Sequence, residues 1–360
     1  MEQRRSGRQK CSKGGEKLIR ISQLKLPITH TKAQLEKKIA KTLKNPGNSF
    51  TYEIKKQSLD CRHKNDKIFV YTVDVMIRDE QKLAKKVNNN NIMLTKEKSY
   101  EFPSPGETPL LHSPVIVGSG PAGLFCGWYL AKAGYCPIIL ERGEEAEKRQ
   151  KTVENFWKNG VLDPESNVQF GEGGAGTFSD GKLNTLVKDP YGRNHEVLKR
   201  FVAAGAPEEI IYQQKPHLGT DVLVGIVEKM RHEIEEMGGK FCFRSKVTDL
   251  IFENNTLKEI EINNDKRIPA QVCVLAPGHS ARDTFEMLQK RGVYMEPKSF
   301  AVGLRIEHPQ EMINMDLYGE PENELLGAAS YKVTHKCANG RGVYSFCMCP
   351  GGYVVNASSE

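Results

Sequence analysis

Residues 115–124 read Val115-Ile-Val-Gly-Ser-Gly-Pro-Ala-Gly-Leu124. A short apolar strand runs into three glycines with the spacing Gly-x-Gly-x-x-Gly, and a helical pattern follows at once. Each glycine has a different physical role, since Gly118 permits a tight turn, Gly120 lets the backbone approach a pyrophosphate, and Gly123 lets the helix pack closely on the strand. The N-terminus of such a helix presents free N–H groups and the positive end of its dipole to phosphates. The stretch therefore predicts a dinucleotide-binding strand–loop–helix unit.

The residues that follow supply the rest of this unit. Pro137–Leu140 is a second predicted strand, and Glu141 ends it, 18 residues after Gly123. A carboxylate at this position accepts hydrogen bonds from a ribose diol and repels a 2′-phosphate. The glycine spacing alone is weak, but strand, loop, helix, strand and terminal acid in this order are specific. We predict an α/β fold with a Rossmann-like domain.

A second stretch with the same glycine spacing occurs at Gly171–Gly176. Its context differs, because residues 167–170 are not an apolar strand and residues 177–181 do not open a helix. We therefore do not predict a second Rossmann site here. The glycine density still indicates positive φ or a close approach of the backbone. Two interpretations stay open: a plain glycine-rich loop, or a loop that lies along the bound cofactor.

Composition and hydrophobic period divide the chain into five segments. Before the dinucleotide motif, the pattern predicts a small α+β unit and then a linker rich in proline. After it, the pattern predicts a parallel sheet with helices and a β-meander, and finally a β-rich region that does not complete a domain. The predicted segments are 1–17, basic and disordered; 18–100, a βαββ domain; 101–113, the linker; 114–292, the Rossmann-like domain; and 293–360, the start of a β-rich substrate domain.

Four local predictions can be compared directly with a structure. Thr31 is positioned to cap a helix through Leu43. Thr220–Met237 is the clearest helix, with Thr220 or Asp221 as its cap and an apolar face. Phe241–Ile251 is predicted as one strand, followed by a hairpin that turns at residues 253–255.

Composition places the chain among ordinary globular proteins. Hydrophobic residues make up 38% and charged residues 27% of the chain, and no apolar run approaches the roughly 20 residues of a membrane span. The N-terminus has no apolar segment typical of a secretory signal. The nine cysteines lack the spacing of a disulfide framework, which favours reduced thiols. We expect a cytoplasmic protein without a membrane partner; its oligomeric state is open.

The net charge of +7 is unevenly distributed. Residues 1–113 hold 24 Lys+Arg against 12 Asp+Glu, a charge of +12, whereas residues 114–360 hold 28 against 33, a charge of −5. A basic segment can bind nucleic acid or another polyanion. It can equally be a solvated surface, and we favour that interpretation because aromatic residues do not cluster with the charges and no nucleic-acid motif occurs.

Several motifs together give the chain a family resemblance. It resembles the bacterial NAD(FAD)-utilising dehydrogenases, FAD-dependent proteins within the glutathione-reductase-like flavoprotein superfamily, from about Leu18 to the last residue. The motifs that carry the resemblance are Gly118–Gly123, Leu140–Gly143, Gly173–Leu183, Lys215–Asp221, Ala276–Asp283 and Phe346–Gly352.

The resemblance implies which cofactor is bound and which residues contact it. It implies FAD at the first glycine loop, the adenosine ribose at Glu141, adenine near Val247, and the second glycine loop beside the isoalloxazine. The implied cofactor-binding residues are Gly118, Ser119, Gly120, Pro121, Ala122, Gly123, Glu141, Arg142, Gly173, Gly174, Gly176, Thr177, Val247, Ala276 and Gly278.

Three residues are candidates for the chemistry. Lys182, next to Asp180 in the second glycine loop, would stabilise a reduced, anionic flavin; the alternative is a lysine that faces solvent. His279 and Arg282 follow Gly278 in a strand-to-helix turn, where a helix N-terminus binds anions and histidine moves protons. The alternative for both is local capping and salt bridging.

Histidine and cysteine patterns give weaker candidates. His217 lies in a turn and could contact substrate. Cys347 and Cys349 would share one face of a strand, but the spacing differs from the dithiol of disulfide reductases, and Cys126 is expected in the core. We predict no metal site, because no second pair of cysteine or histidine has ligand spacing.

The end of the chain departs from the family pattern. Flavoproteins of this type resemble one another in a C-terminal Gly-Asp motif that returns to the FAD sheet, and nothing after Val293 matches it. We therefore expect a truncated chain that binds FAD weakly or not at all. The leading prediction is an FAD-dependent oxidoreductase with an unknown small-molecule substrate and NAD(P)H as an optional electron donor. The alternatives are a flavin-dependent RNA-modifying or polyanion-binding protein and an inactive fragment.

Overall fold

The first unit of the chain is a four-stranded antiparallel sheet covered by helices. In this computed structural model the described residues are 17–44, 49–78, 80–87, 89–96, 99–178, 181, 183, 187–214, 216, 218–345 and 348–360. The first unit contains β1 (Lys17–Pro27), α1 (Lys32–Thr42), β2 (Thr51–Asp60), β3 (Ile68–Met76), α2 (Glu80–Val87) and β4 (Ile92–Lys96). The strand order is β2-β3-β1-β4, so the unit is βαββαβ, the ferredoxin-like arrangement.

The predicted βαββ pattern therefore lacked its last helix and strand. These lie in a polar segment rich in lysine and asparagine, from which Leu83 and Ile92 pack against the core of the unit. Both elements are short, with eight residues in α2 and five in β4, so little length is left for a period to show, and the pairing of β4 with β1 supplies the missing stability. The helix cap at Thr31 is confirmed: the backbone N–H of Thr31 donates to Gln34 Oε1 at 2.7 Å, and Gln34 N–H donates back to Thr31 Oγ1 at 3.3 Å.

The first unit pairs with the rest of the chain through backbone hydrogen bonds, and the linker packs on the second unit through an aromatic contact. Gln57 N–H donates to the carbonyl of Tyr212 at 2.8 Å, and Gln214 N–H donates to the carbonyl of Gln57 at 3.0 Å. In the predicted linker, the ring of Phe102 lies 4.1 Å from that of Tyr129. The linker is thus packed against the second unit at one end.

The second unit is a Rossmann-like domain built on a parallel sheet. Its four short strands have the order β11-β5-β6-β7, and a separate antiparallel meander has the order β10-β9-β8. The elements are β5 (Val115–Val117), α3 (Pro121–Lys132), β6 (Ile138–Leu140), α4 (Ala146–Asn159), α5 (Arg193–Ala203), α6 (Thr220–Glu236), β7 (Lys240–Cys242), β8 (Val247–Glu253), β9 (Thr256–Ile262), β10 (Lys266–Pro269), β11 (Cys273–Leu275) and α7 (Arg282–Lys290), with 3₁₀ turns at Gly174–Phe178 and Glu208–Ile211.

Helix α6 packs across α3 and contributes five buried residues, more than any other described element, to the core on that side of the sheet. Its predicted apolar face is confirmed, because Leu223, Ile226, Val227, Met230 and Ile234 are all buried. Its cap was predicted wrongly. The N-cap residue is Gly219, and no side chain that the structure describes caps the helix.

The predicted strand Phe241–Ile251 is two strands in two different sheets. The chain leaves the parallel sheet after β7, turns through Arg244 at a φ of 51°, and enters the meander as β8. The polar residues Arg244, Ser245 and Lys246 separate the two strands, but aromatic and β-branched residues lie on both sides of them, so the strand propensities run together. The predicted hairpin turn is confirmed by the pairing of Glu253 with Thr256.

The region after Val293 has little regular structure among its described residues. It contains α8 (Gln310–Tyr318) and the paired strands β12 (Thr334–Lys336) and β13 (Gly342–Tyr344). Its last residues reach back to the Rossmann-like domain, where Gln169 Nε2 donates to the carbonyl of Ala357 at 3.1 Å. None of the helices that the structure describes has the length and apolar composition needed to cross a bilayer.

Candidate functional site

A groove of about 330 Å³ lies at the carboxyl ends of β5, β6 and β11. This is the edge where ligands bind in open α/β sheets, because loops from neighbouring strands converge there. Its walls come from five segments that are far apart in sequence: 117–122, 140–142, 169–176, 245–247 and 276–284.

The first glycine loop forms the floor of this groove. Gly118 has a φ of +96°, and a Cβ there would lie 2.4 Å from the carbonyl oxygen of Ala276. A Cβ on Gly123 would lie 1.9 Å from the carbonyl oxygen of Gly118, so close packing of helix and strand requires glycine. Among the described atoms, a Cβ on Gly120 would meet nothing nearer than Gly174 Cα at 3.7 Å.

Helix α3 begins at this loop without a cap from any described side chain. Gly120 is its N-cap residue, and Pro121 occupies the first helical position. Proline is favourable there, because an N–H at that position would have no partner within the helix and proline has none. An uncapped helix N-terminus directs backbone N–H groups and a partial positive charge at whatever lies beyond it. The space that a Cβ of Gly120 would fill is therefore suited to a phosphate group.

Glu141 holds the first glycine loop to two other loops. Its Oε2 accepts hydrogen bonds from the N–H and the hydroxyl of Ser119 at 2.8 and 2.7 Å. Its Oε1 accepts from the N–H groups of Gly143 and Gly171 at 2.9 and 3.0 Å. Glu141 is 4% exposed and reaches the groove. The predicted contact of Glu141 with ribose stays a prediction.

The second glycine loop lies directly against the first. A Cβ on Gly174 would be 3.1 Å from Gly120 Cα, and Gly173 N–H donates to the carbonyl of Ser119 at 3.0 Å. Gly174 and Gly176 line the groove. Of the two interpretations of this loop, its position favours the one that lays it along a ligand held by the first loop.

A buried arginine on α4 organises the second loop. Arg149 is fully buried, and its guanidinium donates to the carbonyls of Asn167, Val168, Glu172 and Gly174 at 2.7–3.0 Å. Burial lowers the pKa of Arg149 to about 10, against the attraction of the nearby carboxylates, so it stays charged at neutral pH. Sequence reasoning missed this residue, because Lys148-Arg149-Gln-Lys151 is typical of an exposed helix face.

Glu172, whose carbonyl accepts from Arg149, is also fully buried. Glu172 accepts from the N–H of Ala146 and from Arg231 Nε, each at 2.8 Å. Burial raises the pKa of Glu172, and these two partners oppose the rise. The charge of Arg149 is stabilised first by the carboxylate of Glu141 and then by that of Glu172. The wall of the groove thus encloses a compact set of paired charges.

A network of charges closes one end of the groove. Arg142 donates to Glu165 at 2.8 Å and in a bidentate contact to Asp283 at 2.9–3.0 Å. Lys246 contacts the same two carboxylates at 3.0 and 2.6 Å. Burial alone would raise the pKa of Asp283, but hydrogen bonds from Arg142 and Lys246 hold it at about 2. The position of Arg142 is therefore set by two carboxylates as well as by β6.

The predicted catalytic candidates fall in different places. His279 lines the groove and lies 3.3 Å from the hydroxyl of Ser280, which donates to Gln169 Oε1 at 3.0 Å. Arg282 does not line the groove, and it pairs with Glu360 at 2.7 Å on the surface. The remaining candidates, Lys182, Asp180, His217 and Cys347, lie outside the described residues.

Most of the predicted cofactor-binding residues meet in the groove. Four of them support its wall from behind instead: Ser119, Gly123, Gly173 and Thr177. The residues that line it are Gly118, Gly120, Pro121, Ala122, Glu141, Arg142, Gly174, Gly176, Val247, Ala276 and Gly278. Within the described part of the chain no cluster of three potential metal ligands occurs.

Sequence reasoning missed several residues that line the groove. Gln169, Ser245 and Lys246 are polar loop residues outside the motifs named above, whereas Ser280 lies within the motif Ala276–Asp283 but was not predicted to contact the cofactor. For the first three residues the only signal is position. Ser245 and Lys246 follow the end of β7, and Ser280 follows the end of β11, so a correct strand assignment would have found them.

Three family models match separate parts of the chain. Residues 116–150 match the NAD(P)-binding Rossmann-like domain, and residues 299–360 match the model described as FAD-dependent protein, C-terminal domain-like. Residues 18–76 match a domain of unknown function. The chain therefore joins a Rossmann-like domain to a segment similar to the C-terminal domain of FAD-dependent proteins.

A longer relative matches nearly the whole chain. It is described as an uncharacterized protein of Clostridium beijerinckii (strain ATCC 51743 / NCIMB 8052) and is 46% identical over 345 residues, which are 95% of this chain. The match spans 64% of the length of that relative.

Similarity to solved structures is distant. THI4 of Thermovibrio ammonificans is 21% identical, with a TM-score of 0.34 over 51% of this chain and 63% of that one. A thioredoxin reductase from Gloeobacter violaceus is 20% identical, with a TM-score of 0.25 over 45% of this chain and 33% of that one. Similarities at this level assign no activity.

Proposed function

We propose that this chain supplies the FAD-binding part of an FAD-dependent oxidoreductase of the glutathione-reductase-like superfamily. The observation that carries the proposal is the meeting of two glycine loops at Gly120 and Gly174, beside an uncapped helix and at the ends of parallel strands. The match of residues 299–360 to FAD-dependent proteins supports FAD over a nicotinamide dinucleotide.

The groove suggests how such a cofactor would be held. The pyrophosphate would contact the N-terminus of α3, the ribose would lie near Glu141, and the adenine would lie near Val247, with the second glycine loop along the opposite side. When bound, FAD supplies hydride transfer at the flavin N5. His279 is the groove-lining side chain best suited to move a proton for a substrate.

The experiment is a visible spectrum of the purified chain after incubation with FAD and removal of unbound cofactor. We expect flavin absorbance that saturates at one FAD per chain, and bleaching by NADH or NADPH without air. Stoichiometric flavin would overturn the expectation, drawn from the end of the sequence, that the chain binds FAD weakly or not at all. The full-length Clostridium beijerinckii relative, treated in the same way, shows how much its additional residues contribute. Absence of bound flavin in both proteins would refute the proposal.

A second candidate function, binding of a polyanion, rests on an open groove in the first unit. One side of this groove is formed by the end of α1 and the other by the chain between α2 and β4. Its lining residues are Lys38, Lys41, Thr42, Lys44, Val87, Asn89, Asn90 and Asn91. Among these described residues there is no carboxylate, although Lys41, in the last turn of α1, also stabilises that helix through its dipole.

Salt dependence tests this second candidate. If phosphates bind here, retention of a single-stranded RNA should fall steeply between low and moderate salt. A variant with glutamine at Lys38, Lys41 and Lys44 should lose most of that slope. Equal retention by the variant would show that this groove is a solvated surface.

A further inference from the structure

All hydrogen-bonding positions of Glu141 are occupied from within the chain. A carboxylate has about four acceptor positions, and Glu141 receives four donors: two from Ser119 and one each from Gly143 and Gly171. A ribose hydroxyl that approaches Glu141 from the groove must therefore replace one of these donors.

The three backbone donors cannot withdraw independently. A Cβ on Gly143 would lie 2.6 Å from Gly171 Cα, so these two loops are already in close contact. Ser119 N–H belongs to the turn between β5 and α3, whose next residue begins the helix. Moving any of the three would rearrange a glycine loop.

The hydroxyl of Ser119 differs from them, because it can leave Glu141 by rotation about one single bond. Ser119 is fully buried, so a hydroxyl that rotates away exchanges a 2.7 Å bond to a carboxylate for a weaker contact or none. A buried donor without an acceptor is destabilising, and that destabilisation reduces the affinity for the ligand.

We propose that the Ser119 hydroxyl is an internal competitor of the nucleotide ribose for Glu141, so that Ser119 sets the affinity for nucleotides with a free ribose diol. The inference rests on the proposed FAD site. It makes Ser119 an affinity-determining residue that acts on the ligand through Glu141. Removal of the hydroxyl should tighten the binding of nucleotides with a diol and leave the others unchanged.

The test compares two probes, ADP and 2′,3′-dideoxy-ADP, by calorimetric titration, with FAD measured alongside. In Ser119→Ala we expect ADP and FAD to bind about five- to tenfold more tightly, since one hydrogen bond to a carboxylate no longer competes. Dideoxy-ADP should bind as it does to the unsubstituted chain. Ser119→Cys, which replaces the hydroxyl with a slightly larger and weaker donor, should give an intermediate gain.

Ser166→Ala is the matched control. Ser166 is also fully buried and also hydrogen-bonded to a glutamate, Glu144, and its described hydrogen bonds do not include Glu141. We expect it to lose stability without any change in ADP affinity. Urea unfolding of each variant shows whether it is folded. If Ser119→Ala does not fold, the affinities of Ser119→Cys for ADP and dideoxy-ADP test the competition instead.

Two unfavourable outcomes are distinguishable. If FAD binds and Ser119→Ala changes the affinities for ADP and dideoxy-ADP equally, or changes neither, the competition is refuted and the FAD site stands. If no folded variant binds FAD or ADP, the proposed function fails and the inference falls with it.

Discussion

Gly120→Ala separates binding from folding in the first glycine loop. Gly120 has a φ of −66° and a ψ of −178°, which alanine adopts without strain, and its Cβ would have only an ordinary contact with Gly174 Cα at 3.7 Å. We therefore expect the free energy of unfolding to change by less than about 1 kcal/mol. The new methyl group would nevertheless stand where the backbone must approach the pyrophosphate.

The expected loss of affinity follows from the hydrogen bonds at the N-terminus of α3. A hydrogen bond from a backbone N–H to a charged phosphate contributes about 1.5–3 kcal/mol. Displacing the pyrophosphate from one such bond should raise the Kd for FAD by about 10- to 150-fold. We expect this rise in Kd without a matching decrease in the free energy of unfolding.

Two matched glycine variants define the limits of this prediction. In Gly123→Ala the Cβ would lie 1.9 Å from the carbonyl oxygen of Gly118, so we expect a loss of several kcal/mol, above about 4, or no folding. In Gly225→Ala, on α6, the Cβ would have no described atom within 4 Å. That variant should keep its affinity and gain up to about 1 kcal/mol, the helix preference of alanine over glycine.

The assay is urea unfolding, followed by the fluorescence of the buried Trp128, combined with titration of flavin fluorescence. Wild-type affinity in a folded Gly120→Ala protein would show that the pyrophosphate does not lie at α3. A stable Gly123→Ala protein would contradict the close packing that we assign to that glycine.

Three further predictions concern the charges and the contact between the units. Arg149→Met leaves four buried carbonyls and the nearby carboxylates without a cation, so it should lower the free energy of unfolding in urea by about 3–5 kcal/mol. The exposed variant Arg282→Gln should lower it by less than about 0.5 kcal/mol. The pKa of Asp283 is about 2 in the folded state, below its ordinary 3.8, so its contribution to stability is present above pH 3.8 and is lost as the pH falls towards 2. Asp283→Asn should therefore flatten the plot of unfolding free energy against pH in that window. An unchanged slope of this plot would contradict the charge network. Gln57→Pro removes the N–H that donates to the carbonyl of Tyr212. It should accelerate amide hydrogen exchange at Gln214, whose N–H donates to the carbonyl of residue 57. Unchanged protection of Gln214 would show that the two units are held together elsewhere.

Local signals were sufficient wherever one segment decides its own structure. The glycines of the first loop, the cap at Thr31 and the apolar face of α6 each depend on neighbours in sequence, and each lies where the sequence predicted. The same signals failed for α2 and β4, because both elements are short and β4 depends on its pairing with β1. They also joined β7 and β8, because residues that favour strands lie on both sides of the turn at Arg244, although the two strands belong to different sheets.

By itself, the sequence determined the class of fold and the place of the dinucleotide loop, since both follow from residue spacing along one strand and one helix. Only the tertiary structure decided what surrounds that loop. The contact of Gly174 with Gly120, the bonds of Glu141 to Ser119 and Gly171, and the buried charge of Arg149 join residues that are 18 to 54 positions apart. Such contacts connect single groups across distant loops, so they leave no period and no spacing in the sequence.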